Sequence, residues 1–237
     1  MIAAAFILLF AANVDELYKR GVEAFERGQA AEAVQVLNQA AELAPDNAQV
    51  WKALGVVYAS RGDFERAADP FSKACALASQ LRDACYFHAR NLYALNRFEP
   101  SLAVLRKALP YDHSPWRIHL GIAQALEALA RPQEAEKEFR IAIETSQSPT
   151  AEFDPRLHYA VFLYRQGRTG EALGPAQQVV GGHPGSGRAH YELGRIQYQL
   201  GRLGAAIVEL EKAVELGYGD AAPMLAKARA RLKVQGD

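Results

Sequence analysis

The sequence predicts an all-α fold assembled from tandem helix pairs, on three observations. Strong helix formers (Ala, Leu, Glu, Arg) are abundant, and long alternating runs of Val, Ile and Thr are absent. A pattern of small residues at Gly21, Gly28, Ala33 and Ala40 returns at Gly55, Gly62, Ala67 and Ala74, each 34 residues further on. The same step continues through Ala89, Ser101 and Ala108, then Ala123, Ala135 and Ala142, and later Gly194, Ala206 and Ala213. A unit of that length is one helix–turn–helix. It cannot bury its apolar face alone, so neighbouring units must stack around a continuous core.

Residues 1–13 open with a wholly apolar run, MIAAAFILLFAA. It reads as the apolar part of a secretory signal, as the product of a start site placed too late, or as the ordered beginning of the first helix. No Lys or Arg precedes it, and Phe10-Ala11-Ala12 lacks the small residue a signal cleavage site wants two positions before its last Ala. The run is too short to span a bilayer as a helix. The expected compartment is therefore extracytoplasmic, periplasmic or secreted, if residues 1–12 act as a signal, and cytoplasmic otherwise.

Six repeats follow at 14–47, 48–81, 82–115, 116–149, 153–186 and 187–220, with Thr150, Ala151 and Glu152 outside the count. Gly28, Gly62, Gly167 and Gly201 share the fifteenth position of their repeats, where a helix-ending turn favours positive φ. Asp63 stands where it can cap the helix that follows. Pro70 and Pro175 fall inside second helices and are expected to bend them, whereas Pro100 and Pro132 lie near helix starts, where proline is tolerated. The polar stretch Thr145–Asp154 is the loop expected to protrude or flex. Residues 221–237 supply a further helix. Pro223 suits its first turn, Leu225, Ala228 and Leu232 share one face, and Lys227, Arg229, Arg231 and Lys233 surround the rest, as in a solvating end cap.

The small residues at positions eight, twenty and twenty-seven resemble those of the tetratricopeptide repeat family, and the resemblance covers residues 14 to 220. The departures are Val179 at position twenty-seven of the fifth repeat and the fourth position, where only Trp51 is the family's tryptophan. Cys85, His119, Arg156 and His190 stand there in later repeats. The resemblance implies a right-handed α-α superhelical solenoid with a C-terminal capping helix. It also implies a non-catalytic scaffold that binds a peptide or helix of a partner protein in a concave groove lined by the first helices.

The groove positions of the family hold Tyr18 and Phe25 in the first repeat, and Tyr86, Arg90 and Tyr93 in the third. They hold Tyr164 and Arg165 in the fifth, and Tyr191, Arg195 and Tyr198 in the sixth. Tyr and Arg are enriched at interface hot spots. Twice the order is Tyr-Arg-Tyr at i, i+4, i+7, which predicts a cation between two rings on one helical face. Such a face suits a peptide or helix with an acidic or aromatic anchor. The family's chaperone-tail clamp, built from Lys and Asn at set positions, is not expected, because Tyr18, Val22 and Ala53 occupy three of them. A self-assembling repeat protein, or a non-catalytic subunit of an envelope, secretion or sugar-modifying complex, is the alternative.

Other chemistries find little support. Lys plus Arg equals Asp plus Glu at 27 each, so no general attraction to nucleic acid or anionic membrane is expected. The stretch GGHPGSGRA (181–189) partly matches a phosphate-binding loop. A helix is expected before it where that loop needs a strand, Arg188 stands for the lysine, and Ala189 carries no hydroxyl, so an inter-repeat turn is expected. The six histidines (His88, His113, His119, His158, His183, His190) form no metal-ligand spacing, and His88, His119 and His190 fall at packing positions. No catalytic constellation, cofactor site or metal site is expected. Cys75 and Cys85 fall on successive antiparallel helices near the turn joining them, which allows a disulfide if the protein is exported, but buried free thiols acting as small apolar residues are the expected state.

Overall fold

The computed structural model describes residues 2–77, 83–111, 115–147 and 149–236, with side chains from Asn13 to Val234 within those ranges. Among the described residues there are thirteen α-helices and two short 3₁₀ turns. Two compact units divide the chain, residues 1–130 and 131–237. The N-terminal unit holds α1 (Ile2–Glu26), α2 (Ala30–Leu43), α3 (Ala48–Ser60), α4 (Phe64–Leu77), α5 (Ala84–Ala94), α6 (Phe98–Ala108) and α7 (Pro115–Ala128). The C-terminal unit holds α8 (Pro132–Thr145), α9 (Pro155–Arg165), α10 (Thr169–Gly182), α11 (Gly187–Gln199), α12 (Leu203–Glu215) and α13 (Ala221–Gly236). Within each unit every helix packs on the next in sequence, the neighbour-to-neighbour order of a helical repeat array. The backbone of α1 begins at Ile2, but the side chains of 1–12 lie outside the described residues, and so do the readings attached to that run.

Helix ends are set by local chemistry. Asn47 Oδ1 accepts from the backbone amides of Gln49 and Val50 at 3.0 and 3.3 Å and starts α3. Asp63 caps α4 as expected, accepting from Arg66 N at 3.2 Å. Ser186 starts α11 by accepting from Ala189 N at 3.2 Å, so GGHPGSGRA holds the end of α10, the turn at 183–186 and the start of α11. Buried residues in α4 fall at Ala67, Pro70, Phe71 and Ala74, one face of a 3.6-residue period. Both α4 and α10 run through their internal prolines, each losing one amide donor.

The four glycines at the fifteenth position all take positive φ, between 74° and 77°. In repeats three and four the same position holds Asn96 and Ala130, at φ 57° and 56°. A left-handed alanine is strained, whereas glycine is not. Ala130→Gly is therefore expected to stabilise the protein by about 0.5 kcal/mol after the extra freedom of the unfolded chain is counted. A higher urea midpoint checks it.

Two expectations are corrected. Cys75 and Cys85 are not free thiols but a disulfide joining α4 to α5, with a Cα–Cα distance of 4.5 Å. Both lie half-buried where the antiparallel helices approach, not deep in the core. The loop Thr145–Asp154 is not loose at its end: residues Ala151–Phe153 form a 3₁₀ turn, and Asp154 is fully buried. Asp154 is held there because it starts α9 and accepts from Arg156 at N, Nε and Nη2, at 2.9, 2.9 and 2.6 Å. The shared face of α13 is covered only in part: Leu225 and Ala228 are buried and Leu232 is 44% exposed.

In the C-terminal unit, Glu136 of α8 ties the first repeat boundary together. It accepts from Tyr159 Oη at 2.9 Å, Arg140 Nη2 at 2.8 Å and both terminal nitrogens of Arg168. Hydrogen bonds from Arg168, then Arg140, lower its pKa from 4.5 to about 2. A carboxylate depressed in the folded state stabilises fully above its unfolded pKa, and that stabilisation is lost as pH falls toward the folded value. Urea titrations between about pH 5 and pH 3 are expected to show a shallower loss of stability in Glu136→Gln than in the native sequence.

Candidate functional site

The face expected to form the groove is laid out on the first helices of the repeats. In the N-terminal unit, Tyr18 and Phe25 are half-buried and pack on the core around Leu37, Leu54 and Val14. Their role there is packing first. Tyr86 is half-buried, while Arg90 and Tyr93 are exposed. The Arg90 guanidinium lies 5.8 Å from the Tyr86 ring, and Tyr93 sets its ring edge-on to Phe98 at 5.2 Å. Beside them α3, α5 and α7 enclose a hollow of about 540 Å³. Val56 and Ala59 of α3, Phe87, Arg90 and Tyr93 of α5, and Gly121 and Gln124 of α7 line it. Small side chains at Ala59, Ala94 and Gly121 are what leave the space open.

In the C-terminal unit, Arg195 lies between two tyrosine rings, as the Tyr-Arg-Tyr spacing predicts, but one ring differs. Its guanidinium is 5.5 Å from Tyr191 on its own helix and 4.8 Å from Tyr164 on α9. Tyr198, the expected second ring, instead lies under Arg231 and Lys227 of α13, at 4.9 and 5.7 Å. The reason is stacking: α9, the first helix of the preceding repeat, brings Tyr164 alongside α11, and the C-terminal helix covers the other end of that face. Arg165 is exposed at the last turn of α9.

Glu192 anchors this cluster and was not singled out by the sequence. It is buried and accepts from Arg195 Nη1 at 2.8 Å. Burial raises its carboxyl pKa, and the positive charges of Arg195, Arg188 and Arg165 oppose that rise. Tyr191 also meets Tyr218 at 4.9 Å. The result is a preorganised wall of rings and guanidinium groups whose principal cation cannot drift away, because its counter-ion is fixed inside the helix packing.

His190 and His158 serve the architecture. His190 is buried, with Glu209 Oε2 2.7 Å from Nδ1 and the Pro184 carbonyl 3.0 Å from Nε2. His158 Nε2 meets the Glu152 carbonyl at 3.0 Å. His113 lies outside the described residues. Among the described residues no group of His, Cys, Asp or Glu has metal-binding geometry, and no helix is long and apolar enough to cross a membrane.

The tetratricopeptide repeat model matches residues 18–81, 86–152 and 160–223, and the chain belongs to that family. No protein of curated function matches the sequence. Among solved structures, the Pseudomonas aeruginosa protein PilF is similar at TM-score 0.72 and 19% identity, over 94% of this chain and 99% of that one. PilW, described as a widely conserved type IV pilus biogenesis factor, is similar at TM-score 0.78 and 16% identity, over 90% and 98%. YrrB, described as a tetratricopeptide protein with an unusual peptide-binding site, is similar at TM-score 0.53 and 21% identity, over 81% and 97%. At these identities the likeness is one of fold: the chain is an α-helical repeat solenoid and, as such, a protein-interaction scaffold.

Proposed function

We propose that this scaffold is non-catalytic and receives a peptide or helix of a partner protein against the Tyr/Arg faces of its first helices. One observation carries the reading. Arg195 is fixed between the Tyr164 and Tyr191 rings, half-exposed and already paired to buried Glu192, so the surface forms without ligand. A rigid aromatic and guanidinium wall loses little entropy on binding, which is what makes such residues interface anchors. The disulfide between Cys75 and Cys85 supports placing the protein outside the cytoplasm, where such bonds persist. The likeness to PilW supports a part in assembling an envelope structure.

The test is a paired pull-down from native lysate. One bait is the full chain. The other carries Arg90→Ala, Tyr93→Ala, Tyr198→Ala and the coupled pair Arg195→Ala with Glu192→Gln. The paired change matters, because removing Arg195 alone strands a buried carboxylate and destabilises the helix packing. With helicity equal, partners lost from the variant support the groove. Partners retained by both baits place binding elsewhere, and association of the chain with itself in light scattering favours the self-assembling alternative.

A further inference from the structure

We infer that the hollow between α3, α5 and α7 takes a tryptophan side chain of the partner segment. The inference rests on the groove reading above and names the residue that reading leaves open.

The first observation is a buried acceptor without a partner. Asn91 is 3% exposed and lines the hollow. Its Nδ2 donates to the Phe64 carbonyl at 2.9 Å, which fixes the orientation of the amide. Its Oδ1 then has no hydrogen-bond partner. Buried polar atoms are nearly always satisfied, so an orphan beside an open hollow marks where a donor from outside is missing. The second observation is the wall. Phe71 and Phe87 stack at 5.9 Å and, with Leu105, give the hollow an apolar side. Its volume of about 540 Å³ is that of a ligand pocket and admits a bicyclic ring. The third is charge. Among the described residues that line the hollow, Arg90 is the one charged side chain, and it stands exposed.

An occupant must therefore be flat and apolar, carry a hydrogen-bond donor, and present a π face to a cation. Phenylalanine has no donor. Tyrosine brings a hydroxyl at its tip that is also an acceptor needing its own partner. The indole of tryptophan has a ring N–H that only donates, and its face is the best aromatic partner for a guanidinium. A donor to Asn91 Oδ1, a ring beside Phe87 and a face toward Arg90 are met together by that side chain.

The test uses the full ¹⁵N-labelled chain and four capped peptides of the form acetyl-Gly-Ser-X-Ser-Gly-amide, where X is tryptophan, 1-methyltryptophan, phenylalanine or alanine. The 1-methyl form keeps the ring and removes the donor. The tryptophan peptide is expected to shift the Asn91 side-chain amide and the Gly121 backbone amide. The 1-methyl and phenylalanine peptides are expected to bind about tenfold more weakly, the loss of one buried hydrogen bond. Ala94→Phe, which fills the hollow from its exposed rim, is expected to abolish the shifts without unfolding the chain. Equal binding of the tryptophan, 1-methyl and phenylalanine peptides at Asn91 and Gly121 overturns the tryptophan assignment and leaves the groove reading standing. Shifts confined to other surfaces overturn the tryptophan assignment. No shift from any peptide at about millimolar concentration overturns the assignment, while the pull-down reports separately on the groove.

Discussion

Gly55→Leu is expected to destabilise the N-terminal unit by about 3 kcal/mol or more. A Cβ placed on Gly55 lies 2.6 Å from Phe71 Cδ1 and 2.7 Å from Cε1, well inside van der Waals contact. Phe71 is 2% exposed and stacked on Phe87, so its ring can move only toward the hollow it lines, giving up that stack. The branched remainder of a leucine must then part α3 from α4. The same contact recurs at Gly21, whose Cβ would meet Leu37 at 2.6 Å, and at Gly194, whose Cβ would meet Leu210 at 2.7 Å. Position eight is small because position twenty-four is large. Phe71→Ala alone is expected to cost about 3–5 kcal/mol through the cavity it leaves. Combined with Gly55→Leu it should cost clearly less than the two losses added, because the leucine enters that cavity. Urea unfolding followed by far-ultraviolet circular dichroism gives all the values needed. A Gly55→Leu chain with an unchanged midpoint would refute close helix contact as the reason for the small residue.

That close contact was legible in the sequence because it repeats: Gly21 and Gly55 stand 34 residues apart, in register with Ala33 and Ala67, which marks places where only a small side chain fits. The turn after each first helix was legible for the same reason at Gly28, Gly62, Gly167 and Gly201. It was hidden at Ala130, since alanine does not announce positive φ, whereas Asn96 is of a type that tolerates it. Spacing along one helix predicted that Arg195 would meet aromatic rings, but it cannot tell which ring a neighbouring helix supplies, so Tyr164 stands where Tyr198 was expected. Glu192 and Asn91 were missed because a polar residue on a helix looks solvated until its neighbours are known. The signal available for Asn91 was its place between two packing positions, Ala89 and Leu92, where a polar side chain is unusual. The disulfide was missed because two cysteines ten residues apart have no readable geometry without the helix pair that carries them.

Removal of that disulfide is expected to cost about 2–3 kcal/mol, from the loop-closure entropy returned to the unfolded chain across a sequence separation of 10. Cys75→Ala with Cys85→Ala is the substitution to use, since a single change leaves a reactive thiol. Both side chains are half-buried rather than packed deeply, so little apolar burial is lost and the entropic term dominates. Dithiothreitol should lower the urea midpoint of the native sequence by a similar amount and leave the double variant unmoved. A native chain insensitive to reductant would mean that the bond does not form. The same bond bears on where the protein works. Cytosolic thiols are kept reduced, so a link on which the α4–α5 joint depends would be open there and closed outside. Alkylation of the chain in intact cells before lysis, read by intact mass, separates these cases. Two unmodified sulfurs joined in a bridge support the extracytoplasmic placement proposed above, and two alkylated thiols overturn it.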